Sequence, residues 1–135
     1  MDNRLTTNSG HVALAESVTA AAVGHAVVRL LETGEYQQRA RVLGERLRSR
    51  LEALLGDGVS AVRSVGLWAG VDIDEGVMTG REACEGLAAR GVLTKETHGL
   101  TLRLSPPLVI EADEIDWMVD QLKDVLAHGP GWGTP

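Results

Sequence analysis

Residues 99–107, GLTLRLSPP, alternate apolar and polar side chains at a period of two and then stop at two prolines. That pattern is a β-strand with one face covered, because successive side chains of a strand point to opposite faces. The prolines close it, since they have no N–H to give to a ladder. Such a strand needs neighbours to pair with and a layer of protein on its apolar side, and the rest of the chain has to supply both. Leu102 and Leu104 take the covered face, and Thr101, Arg103 and Ser105 take the other. Arg103 therefore sets a full positive charge in a half-buried strand, and no acid lies next to it along the chain.

The flanking sequence reads as the missing layer. Residues 12–33 are a helix whose small apolar residues, Ala13, Ala15, Ala20, Ala21, Ala22 and Ala26 among them, cover most of its faces. A helix apolar nearly all round needs covering on all sides. Gly34 breaks it. A second helix spans 36–55, with Val42, Leu43, Leu47, Leu51, Leu54 and Leu55 as one stripe and Arg39, Arg46, Arg48, Arg50 and Glu52 mostly off it. The GDG at 56–58 turns the chain into two short strands, 59–64 and 67–73, with Gly66 between them. Thr79 and Glu82 form a capping box for a third helix over 80–90, which Gly91 stops. VLTK (92–95) is a short strand, ETHG a turn, and LTLRLS the next strand. The last helix covers 112–127, with Ile115, Met118, Val119, Leu122, Val125 and Leu126 as its apolar stripe. The order α, α, β, β, α, β, β, α predicts an α/β (α+β) fold, a small sheet with helices packed on it.

Composition narrows the function. The chain has 135 residues, enough for one domain with a real core, and no phenylalanine, so that core is aliphatic. Its net charge is −6, which disfavours nucleic acid and anionic membranes as partners. All of the 13 basic residues are arginine except Lys95 and Lys123. No apolar run reaches the roughly 18 residues of a membrane span, and the polar start lacks a signal peptide. Cys84 stands alone and cannot form an internal disulfide. A cytoplasmic location follows as the expectation.

Few residues offer chemistry. His11, His25, His98 and His128 are scattered with no ligand spacing, so no metal site is expected. Cys84 sits mid-helix and reads as a small, partly buried thiol. Asp72 and Asp74 alternate at what reads as a solvated strand end. No residue is assigned a catalytic role. Arg103 admits two readings from pattern alone: a surface arginine on an open sheet face, or a planar fork for a carboxylate, which arginine binds through two parallel hydrogen bonds.

KETHGLTLRLSPPLVI resembles the end of class III pyridoxal-phosphate aminotransferases, and the ornithine aminotransferases above all. RLLETGEYQQRARVLGERLRSRL, VRSVGLWAGVDI and LAARGVL agree in order, and the resemblance covers about residues 19–127. It implies the C-terminal small domain of a fold-type I enzyme: 1–11 a loose start, 12–34 a linking helix, 35–128 the small domain and 129–135 a tail. It implies transfer of the δ-amino group of ornithine to 2-oxoglutarate, giving glutamate semialdehyde and glutamate, with pyridoxal 5′-phosphate as cofactor in a homo-oligomeric enzyme. Arg103 matches the family arginine that grips the α-carboxylate of 2-oxoglutarate or glutamate. Thr97 and His98 match the family turn and are given structural roles.

The sequence also departs from the family. Neither Lys95 nor Lys123 matches the cofactor lysine, and NSGHVALAESV lacks the glycine-rich, threonine-bearing segment that reaches the cofactor phosphate of a neighbouring subunit. The expectation is a chain that needs a large-domain partner or is inactive. The alternatives are a dicarboxylate-binding module and a non-catalytic remnant. In each case the Ala-rich helix should leave apolar surface uncovered.

Overall fold

The computed structural model describes residues 6–129, with side chains from residue 17 onward. It falls into two compact units, Met1–Gln37 and Gln38–Pro135. The first holds α1, Thr6–Glu32. This helix begins inside the stretch expected to be a loose start, and residues 1–5 and 130–135 lie outside the described residues. Every described side chain of α1 is exposed, from Val18 at 67% to Leu31 at 39%. Its C-terminal carbonyls find side-chain donors: Thr33 Oγ1 to Leu30 O at 2.8 Å and Gln37 Nε2 to Leu31 O at 2.8 Å.

The second unit is built on a four-stranded antiparallel sheet. Its strands are β1 (Val59–Val65), β2 (Trp68–Ile73), β3 (Lys95–Thr97) and β4 (Thr101–Leu104), in the order β1-β2-β4-β3. The helices α2 (Glu35–Glu52), α3 (Gly80–Ala89) and α4 (Ala112–His128) complete the expected succession of elements. Ala69, Val71, Ile73, Leu102 and Leu104 form the covered face, in one core with Leu47 and Leu51 of α2, Leu87 of α3 and Ile115 and Leu122 of α4. All six residues of the expected α4 stripe are buried. The α2 stripe is narrower than expected. Leu47, Leu51 and, just past the helix end, Leu54 are buried, whereas Val42, which falls off the face, is 55% and Leu55 48% exposed.

Three details fix this frame. The α3 capping box is complete, with Thr79 Oγ1 accepting from Glu82 N and Glu82 Oε2 accepting from Thr79 N. Gly44 of α2 meets the β1–β2 turn so closely that a Cβ there would lie 2.5 Å from the Gly66 backbone. Arg39, Arg46 and Arg50 of α2 pair with Glu111, Asp116 and Asp120 at the start and along α4.

The strand expected at 92–95 is displaced: it runs Lys95–Thr97, and the turn shortens to residues 98–100. His98 (φ 58) and Gly99 (φ 84) both adopt left-handed backbone there, which lets the chain reverse tightly into β4. No described helix is long and apolar enough to cross a membrane.

Candidate functional site

The face of the sheet opposite the core carries Arg103, the candidate site residue. Directly paired residues of antiparallel strands point the same way. The register therefore sets Arg63 of β1, Gly70 of β2, Arg103 of β4 and Lys95 of β3 in one row across all four strands. Ala61, Asp72, Thr101 and Thr97 form the next row. Gly70 offers no side chain, and Arg63 reaches over it, with Nη2 3.8 Å from where a Cβ would stand.

Asp72 is fully engaged. Arg63 Nη1 donates to Asp72 Oδ2 at 2.6 Å and Arg63 Nη2 to Oδ1 at 2.7 Å, while Thr101 Oγ1 donates to Oδ1 at 2.6 Å. The Arg63 guanidinium holds the Asp72 carboxyl below the usual carboxylate range, against the opposing pull of partial burial, and Thr101 adds to the lowering. This pair was not expected. Asp72 read as a solvated strand end, and only the hairpin register that brings Arg63 opposite Gly70 reveals it.

Arg103 is exposed on this face, as a position between Leu102 and Leu104 requires. Among the described residues of the second unit it is the arginine whose side chain makes no hydrogen bond or ion pair. Arg39, Arg46, Arg48, Arg50, Arg63, Arg81 and Arg90 are all paired with acids, and Arg41 donates to Gln38. Its backbone is fixed, with Thr94 Oγ1 donating to Arg103 O at 2.8 Å. Lys95, directly opposite, places a second cation beside it, an arrangement that costs stability unless an anion joins it. Arg103 borders two concavities. One, of about 270 Å³, is floored by Gly70 and walled by Arg63, Trp68 and Thr101. The other, of about 510 Å³, runs toward Pro106, Pro107 and Trp117.

The remaining candidates are plain. Cys84 is half-buried, and burial pushes its thiol up, away from nucleophilic character. Thr97 Oγ1 donates to Thr101 O at 3.3 Å and His98 shapes the turn, so both serve the hairpin. Among the described residues no His, Cys, Asp or Glu cluster could hold a metal. Lys95 and Lys123 are exposed, without the enclosure that a Schiff-base lysine uses.

The chain belongs to the class III aminotransferases: the family model "Aminotransferase class-III" matches residues 7–126. Ornithine aminotransferase of Bordetella pertussis is 44% identical over 113 residues, covering 83% of this chain and 27% of that protein. Ornithine aminotransferase of Bacillus subtilis is 37% identical over 109 residues, covering 81% and 26%. Among solved structures, acetylornithine aminotransferase of Elizabethkingia anophelis superposes with a TM-score of 0.70 at 30% identity, over 80% of this chain and 28% of that one. An Arthrobacter phospholyase in complex with phosphoethanolamine gives 0.72 at 31%, over 79% and 28%. The chain thus spans about a quarter of the length of the curated relatives it matches. The α+β fold expected from the sequence, like the small domain of fold-type I pyridoxal-phosphate enzymes, is the fold observed.

Proposed function

We propose that this chain is the carboxylate-gripping part of an ornithine aminotransferase, with Arg103 holding the α-carboxylate of 2-oxoglutarate or glutamate. The observation that carries this reading is the free, exposed Arg103 guanidinium beside Lys95 on a rigid sheet whose other arginine, Arg63, is already paired. The planar fork matches a carboxylate with two parallel N–H donors, and the neighbouring lysine strengthens the local positive field. The names of the relatives supply the amine donor, ornithine.

The family implies pyridoxal 5′-phosphate, and the described residues of this chain do not fit it. Lys95 and Lys123 are exposed, and Asp72, on the open face of the sheet, is committed to Arg63 and Thr101. In this reading the cofactor lysine and the acid facing the pyridine nitrogen belong to the large-domain half of a homo-oligomeric enzyme, and Arg103 contributes substrate orientation.

Complementation tests it. The chain is co-expressed with a large-domain fragment of an ornithine aminotransferase, and ornithine-dependent conversion of 2-oxoglutarate to glutamate is followed with added cofactor. Activity that disappears with Arg103→Ala supports the reading. A soluble complex without activity rejects it in favour of a non-catalytic remnant, and activity indifferent to Arg103→Ala rejects Arg103 as the carboxylate grip.

A further inference from the structure

Arg63 and Arg103 occupy the same register step. Each lies opposite Gly70, one on either side of β2. Asp72 is two residues along β2 on the same face, so it is diagonal to both, a separation that long side chains span. Gly70 places nothing between the two arginines. Asp72 therefore has two cations to choose from, and it is bound to Arg63 through both oxygens. Thr101, next to Arg103 on that face, holds the same carboxylate and would still hold it if Arg63 were absent.

We propose that Arg63 is a positioning residue: by taking both oxygens of Asp72 it keeps that carboxylate off Arg103 and leaves the Arg103 fork open to a carboxylate ligand. The proposal builds on the reading of Arg103 as the substrate grip. Without Arg63, Asp72 turns to Arg103 and closes an internal pair across β2 and β4. A ligand then competes with a tethered carboxylate, and its apparent affinity falls in proportion to the fraction of Arg103 left open. By register, the charged and polar groups around Asp72 on this face are Arg63 from β1, Thr101 and Arg103 from β4, and Thr97 and Lys95 from β3. The Arg63 side chain is 60% exposed, so its removal leaves the core intact.

The test uses the full chain and begins without ligand. The Asp72 carboxyl is titrated by carbon-detected NMR in the unsubstituted chain, in Arg63→Ala, in Arg103→Ala and in the double variant. Arg103→Ala alone should leave the Asp72 midpoint unchanged. Arg63→Ala should leave it depressed, because Arg103 takes over. The double variant should bring it up to the ordinary value of about 3.9 or higher. If Arg63→Ala alone raises Asp72 as far as the double variant does, the proposal is overturned.

Calorimetry with 2-oxoglutarate adds a second readout. Arg63→Ala should weaken binding about tenfold, corresponding to Asp72 occupying Arg103 about nine-tenths of the time, and Arg63→Ala/Asp72→Asn should restore it. Unchanged affinity in Arg63→Ala contradicts the proposal. Arg103→Ala binding as tightly as the unsubstituted chain overturns the substrate-grip reading instead. The ligand-free titration judges the Arg63–Asp72 arrangement whether or not 2-oxoglutarate binds.

Discussion

Two cations facing each other across a pair of strands is an uncomfortable arrangement. Lys95 and Arg103 are directly opposite, with no carboxylate of their own, and like charges so placed destabilise a sheet. In the proposed reading the pair awaits an anion, so stability and binding should separate. Arg103→Gln is expected to melt no lower than the unsubstituted chain while losing affinity for 2-oxoglutarate. Parallel thermal melts and calorimetry check this, and a lowered melting point would show that Arg103 is structural. Asp72 behaves in the opposite way. Its folded-state pKa is depressed, chiefly by Arg63, so its contribution is present above the unfolded value of about 3.9 and is lost as pH falls through the folded value. Asp116, held down by Arg46, has the same sign. Stability should therefore fall as pH drops below about 4, with a shallower slope in Asp72→Asn. Urea unfolding at stepped pH measures it, and an identical slope in both chains would count against the Arg63–Asp72 pair.

The elements were legible where the signal is local. The Thr79–Glu82 capping box, the α4 stripe and the proline stop of β4 each lie within a few residues, and each is present in the fold. What was misread depends on pairing. The Lys95–Thr97 strand is set by its register with β4 and by positive φ at His98, neither of which periodicity reveals in so short a segment. Asp72 looked solvated because its partner sits across a hairpin. Arg103 was legible as an unpartnered charge, but its open row with Lys95 and Gly70 needed the sheet order. Two substitutions probe these elements. Thr79→Ala removes the hydroxyl that accepts from Glu82 N and should cost about 1 kcal/mol in denaturant unfolding. Gly44→Ala ought to gain helix propensity, yet the new Cβ would strike the Gly66 backbone, so a net loss of about 1–3 kcal/mol is expected. A stabilised Gly44→Ala chain would mean that α2 and the β1–β2 turn are not in close contact.

The molecule as a whole combines a well-packed second unit with a first unit in which every described side chain of α1 is exposed. Val18, Val23, Val27, Val28, Leu30 and Leu31 all stand exposed along α1. Such a helix should bind a hydrophobic dye and associate with itself or with a partner. A strictly monomeric chain by light scattering, with no dye binding, would falsify that expectation. The central claim, that Arg103 is the free carboxylate grip on the open face, has a more direct test. Side-chain NMR of the arginine Nε–Hε groups during titration with 2-oxoglutarate distinguishes Arg103 from the arginines already paired. The account predicts that the Arg103 signal moves and saturates while the Arg63 signal, held by Asp72, stays in place. A titration in which Arg103 does not respond, or responds no more than the other arginines, would contradict it.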